Sequence, residues 1–219
     1  PAPIDTLPFS VVKQSRDRAT FGAKFDLTNH SGTRFHVEVK RDIRLISTST
    51  AWKKLGVKPS SNVSVVAYES HNRITNAGEK PWQKDTGLLS IWILGMFNPS
   101  PATTIVAPIH PGPASELGPE VNSDYFGAIP PSRLAVKDSA IFFSGDGQFR
   151  SKIGVNPKRS KGLLGSYDAA NKALTIVQFT QPKGATEYVN SQWKWQEKPY
   201  AGDVSNSYND GPPAPGKKP

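Results

Sequence analysis

The sequence predicts an all-β protein made of antiparallel strands, a β-sandwich. Three observations lead there. Apolar residues recur at every second position over long stretches, 20 prolines and 18 glycines punctuate those stretches, and helical spacing is almost absent. Residues 1–211 read as one sandwich domain, and residues 212–219 (PPAPGKKP) read as a linker or disordered end.

The clearest element is RFHVEVKRDIRLI. Phe35, Val37, Val39, Ile43 and Leu45 point one way, while His36, Glu38, Lys40, Asp42 and Arg44 point the other. One buried and one wet face is the mark of an antiparallel strand. FGAKFDL precedes it across TNHSGT, so Thr20 to Ile46 is a hairpin with Gly32 easing the turn. A turn or two of helix fits around Trp52. NVSVVAYESHNRITN is the next strand, and after the connection AGEKPW the run LLSIWILGMF (Leu88 to Phe97) reads as a buried strand. From Asn98 to Pro131 the prolines and glycines leave no sustained period, which predicts a long loop. Two hairpins follow: AIFFS–GDG–QFRSKIGV, turning at Asp146-Gly147, and GSYDAANKALTIVQF, turning at Ala169 to Lys172. The chain then enters YVNSQWKWQEKPYAGDVSNSYNDG, where no regular element is evident from Asp203 to Asp210.

Composition bounds the function. Lys and Arg number 27 against 18 Asp and Glu, a net charge of +9, but the basic residues are scattered and interrupted by acids, Gly or Pro. No glycine-and-aromatic RNA-binding signature accompanies them, so nucleic acid is not the expected partner. Cysteine is absent, which excludes thiolate metal sites and a cysteine nucleophile. Four widely spaced histidines give no zinc motif, and no metal or cofactor is expected. Walker, Rossmann, G-x-S-x-G and H-E-x-x-H motifs are all absent. No apolar run reaches the roughly 18 residues that span a bilayer.

Two groups of residues carry candidate chemistry. Glu69, His71 and Arg73 alternate along one strand and share a face, which supplies a base, an acid and an anion clamp. The same spacing also suits a solvated face held by cross-strand ion pairs. The second group is the stretch from Tyr188 to Gly211, which interleaves five aromatic residues with amides and carboxylates. Flat rings beside amides and carboxylates suit a sugar, with its apolar ring faces and rim of hydroxyls. Trp193 and Trp195 fall on one strand face, as a stacking platform or as core. Asp203, Asn206, Tyr208 and Asp210 follow, in oxygen-rich turns. Asp124 and Tyr125 in the loop segment SDYFG suit a cleft wall. Arg150 and Lys152 share a strand face, where they pair with carboxylates or hold an acidic sugar. Asp124, Tyr125, Arg150, Trp193, Asp203, Asn206, Tyr208 and Asp210, with Arg73, Asn76 and Trp82 added, form the expected sugar-contacting set; Glu69 and His71 are the candidate catalytic pair.

The blocks YESHNRITNAGEKPW, GLLSIWILGMFNPSP, SDYFGAIPPSRL, GDGQFRSKIGV, GSYDAANKALTIVQF and YVNSQWKWQEKPYAGDVSNSYNDGPP, in this order, resemble an uncharacterised bacterial exported family. That family is associated with the galactose-mutarotase-like β-supersandwich. The resemblance implies an exported protein, periplasmic or extracellular, with a sugar on the concave sheet face and aldose-epimerase-like proton transfer. It also implies segments before Pro1 and after Pro219, so the sandwich is expected to be incomplete here. His71 matches the family's acid only by position along the chain, and the downstream Glu of mutarotase-like enzymes has no counterpart. A non-catalytic glycan-binding or cell-surface module is the alternative, and a basic scaffold for acidic polysaccharide or lyase-type chemistry is a third.

Overall fold

The computed structural model describes residues 3–192 and 196–212. The chain divides into two compact units, which meet in sequence between Leu94 and Gly95. Among the described residues, strands dominate and every strand pair is antiparallel, so the fold class is all-β. No described helix is long and apolar enough to cross a membrane.

The first unit holds a four-stranded meander in the order β1 (Ser10–Gln14), β2 (Arg18–Thr28), β3 (Arg34–Ile46) and β4 (Ala67–Asn76). The hairpin read over Thr20 to Ile46 is β2–β3, and Gly32 sits in its turn at φ 84°. Phe35 and Val37 are buried while Arg34 and His36 are exposed, as the alternation requires. A four-residue helix, α1 (Pro3–Thr6), precedes the sheet, and α2 (Thr48–Leu55) supplies the turn expected at Trp52. The Ser47 side chain caps the start of α2, and Gly56 in the left-handed region (φ 68°) ends it.

Two expectations for this unit are corrected. The strand read from Asn62 begins only at Ala67. Leu88 to Phe97 forms no strand, and Ile91, Trp92, Ile93, Leu94, Met96 and Phe97 are exposed. An uninterrupted apolar run does not by itself specify a sheet partner, and this one pairs with no strand of its own unit.

The second unit holds a five-stranded sheet in the order β10 (Ala173–Gln178), β9 (Leu163–Asp168), β5 (Thr103–Pro108), β7 (Ala140–Ser144) and β6 (Leu134–Lys137). A short helix, α3 (Ala114–Leu117), follows β5. A two-stranded sheet pairs β8 (Ser151–Val155) with β11 (Ser205–Asn209). Ala107, Ile109, Ile141, Phe143, Ile153 and Val155 form one buried core, so β8 packs its apolar side against β5 and β7. Burying Phe143, Ile141 or Ile153 contributes about 1.5–3 kcal/mol each.

The β9–β10 hairpin turns where expected: Asp168 Oδ1 accepts from the amides of Ala170 and Asn171, and Lys172 takes φ 53°. The long-loop reading of Asn98 to Pro131 is corrected, because TTIVAP is the central strand β5. Its flanking prolines hid a β-branched run. The hairpin read over Ala140 to Val155 is also corrected. After β7 the chain turns at Asp146-Gly147 and leaves the five-stranded sheet, and β8 pairs with β11 instead. Asp146 holds this corner, accepting from Arg133, the Gln148 amide (3.0 Å) and Asn209 Nδ2 (3.0 Å). The tight hairpin is β6–β7 instead, where Asp138 and Ser139 both take positive φ, 51° and 58°. SNSYN, read as irregular, is strand β11. The polar residues hid its period.

Candidate functional site

Strand β8 is buried on both faces, which is unusual for a strand containing lysine. Ile153 and Val155 enter the core; the intervening Lys152 and Gly154 point the other way. The β8–β11 register sets Tyr208 opposite Lys152 and Asn206 opposite Gly154. From the other side the backbone of Asn122 exchanges two hydrogen bonds with Gly154, of 2.9 and 2.8 Å. This brings Asn122 and Tyr125 to the same place. The result is a small polar recess lined by Asn122, Tyr125, Lys152, Gly154, Asn190, Ser191, Gln192 and Asp203.

Lys152 is 4% exposed and sits at the floor of the recess. Its Nζ donates to Ser191 Oγ at 3.2 Å and lies 4.2 Å from the Tyr125 ring centre and 5.1 Å from that of Tyr208. The two rings meet edge to face at 6.5 Å. Burial lowers the Lys152 pKa, against the opposing pull of the Asp203 and Asp124 carboxylates. Asp203 shifts the opposite way: burial raises it, offset by a hydrogen bond from Asn122 Nδ2 (3.1 Å) and by the Lys152 charge. Burial thus works against the charged form of both groups in one recess.

Gly154 is required here. A Cβ at this position would lie 2.0 Å from Asp203 Oδ2, so the carboxylate occupies the space that any other side chain would fill. The Tyr125 hydroxyl and Asn206 Oδ1 are buried and have no hydrogen-bond partner among the described residues. Orphaned polar atoms beside a polar recess are where a bound hydroxyl or water is needed. The recess itself has about 10 Å³ of room, which fits one such group.

Of the residues nominated from sequence, Tyr125, Asp203 and Tyr208 converge at this recess, with Asn206 opposite Gly154 beside it and Asp124 acting on it through its charge. Arg150 pairs with Asp210 at 3.6 Å and lies 6.0 Å from the Phe126 ring, next to the recess strand. Trp193 lies outside the described residues, as do Trp195 and residues 213–219 of the tail. Lys152 and Asn122 are the additions. The sequence offers the first with Arg150 as a partner for carboxylates or an acidic sugar, and the second carries no signal in it.

The remaining nominated residues belong to the first unit. Glu69 is held by Arg44 and by Lys54 at 2.9 Å, and His71 Nε2 lies 3.5 Å from the same carboxylate. The Lys54 hydrogen bond, with those of Arg44 and His71, brings the Glu69 pKa to about 2. Such a carboxylate is a weak base at neutral pH. The His71 side chain is 73% exposed, and Arg73 is exposed opposite Lys40. Asn76 closes its own turn, donating to Lys80 O and accepting from the Gly78 amide. Trp82 is half-buried and packs edge-on against the buried Phe35, at 5.9 Å.

These ion pairs make the first unit acid-sensitive. Asp42, bonded to Arg18 and Thr20 at 2.7 Å each, is also lowered to about 2. Both carboxyls have folded pKa values below their ordinary 3.8 and 4.5, so their stabilisation is complete above those values. It is lost as pH falls from about 4.5 through 2. Urea unfolding followed across that range should show a falling midpoint, and Asp42→Asn with Glu69→Gln should flatten the fall.

No curated protein and no solved structure matches the chain. Over residues 1–219 it matches the model of a family of unknown function (DUF6786), and the chain belongs to that family.

Proposed function

We propose that this protein binds carbohydrate and that the Lys152–Asp203 recess holds one hydroxyl of the sugar. The observation that carries this reading is the convergence of an ammonium, a carboxylate, an amide and two tyrosine rings on one hydroxyl-sized space. A sugar hydroxyl donates and accepts at once. Asp203 and the orphaned Tyr125 oxygen accept or donate as required, Lys152 and Asn122 donate, and the rings offer apolar faces to C–H groups. The size of the recess means that the sugar ring lies over it rather than within it.

Binding without catalysis is the favoured form. Glu69 is neutralised by two cations and held near pKa 2, so its carboxylate is a poor general base at neutral pH. An exported bacterial setting and a mutarotase-like supersandwich belong to the same proposal. A glycan array on the intact protein tests it, and any retained reducing sugar is then followed by polarimetry. Retention with no acceleration of mutarotation is expected. Accelerated mutarotation that is lost in His71→Ala would restore the epimerase reading.

A further inference from the structure

The second unit carries another concave surface, away from the recess residues, formed by three segments. Pro157–Gly162 follows β8, Phe179–Thr186 follows β10, and His110 follows β5. Together they line a groove of about 450 Å³, large enough for one or two sugar residues. Lys158, Lys161 and Lys183 line it, and among the described residues no Asp or Glu does. Lys158 Nζ donates to the Glu116 carbonyl at 3.0 Å, which fixes its position, and Lys161 and Lys183 are exposed.

A second observation narrows the ligand. Gln181 donates through Nε2 to the Pro157 carbonyl at 2.5 Å, which leaves its Oε1 as an acceptor. That oxygen is buried and has no partner among the described residues. Lysines call for negative charge, while a lone acceptor calls for a hydroxyl or N–H donor. A fully ionised phosphate offers only the charge. A uronic acid offers a carboxylate and several hydroxyls on one ring, and Phe179 adds an apolar wall.

We propose that this groove binds a uronate-bearing saccharide chain, separately from the Lys152 recess. Its ligand class rests on the carbohydrate reading given above. The test uses the full chain and measures affinity for polygalacturonate, for neutral dextran and for single-stranded DNA at low and physiological salt. The variants are Lys161→Gln/Lys183→Gln, whose exposed side chains leave the core untouched, and Lys137→Gln, an exposed lysine outside the groove. Polygalacturonate should bind, weaken with salt, and lose about tenfold or more in the double lysine variant. It should be unaffected in Lys137→Gln. Uronate binding that survives the double variant, or DNA bound more tightly than uronate through the same lysines, overturns the proposal. Loss of array glycans in Lys152→Met bears on the recess alone, so the two readings fail independently.

Discussion

Replacing Arg159 with alanine is expected to destabilise the second unit by about 3 kcal/mol or more, the largest effect of any single substitution considered. The side chain is 1% exposed and meets no carboxylate within hydrogen-bonding distance among the described residues. Its guanidinium donates to three backbone carbonyls instead: His110 at 2.9 Å, Gly112 at 3.0 Å, and Gly118 at 2.9 and 3.2 Å. Those bonds tie the segment around α3 to the turn after β8. Alanine would leave three acceptors unpaired and a cavity beside them, each a separate cost. The melting temperature should fall by roughly 6–12 °C. Arg159→Lys should recover only part of it, because one ammonium cannot reproduce the planar fork. Calorimetry of the three proteins decides the matter; a change below about 1 kcal/mol in the alanine variant would mean that the loop is held by other contacts.

Lys152→Met is expected to behave in the opposite way, removing binding while preserving stability. Burial lowers the pKa of Lys152, so the folded state disfavours its charged form. That penalty applies below the folded pKa and disappears as pH rises above the unfolded value. Methionine fills a similar volume without the charge, at the expense of one hydrogen bond to Ser191 and the two ring contacts. The net change in stability should lie within about 1 kcal/mol of zero. Affinity for a neutral sugar should drop at least about tenfold, since a charged donor at the floor of the recess is gone. Residues kept at no benefit to folding are the ones a binding site is made of. Substantial unfolding of the variant would place Lys152 among the structural residues.

Much of the fold is legible in local pattern. The β2–β3 and β9–β10 hairpins, the burial of Phe35 and Val37, and the short helix at Trp52 all follow from neighbours in sequence. What escapes is long-range. Phe142 and Phe143 with Asp146-Gly147 look like half a hairpin, yet the Arg133 and Asn209 contacts to Asp146 send β8 to another sheet. The candidate site divides along the same line. Tyr125, Asp203 and Tyr208 were recognisable as ligand-type residues. Lys152 reads only as the companion of Arg150 for a carboxylate or an acidic sugar, and its burial beside two tyrosines arises when β11 and the 122–125 segment close over it.

The most direct measurement is a glycan array probed in parallel with the intact wild-type protein and with its Asp203→Asn variant, which keeps the shape of the side chain over Gly154 and removes its charge. The account predicts that the wild type retains at least one class of neutral saccharide and that the variant loses it. Absence of any retained saccharide, or retention of the same set by both proteins, would contradict it.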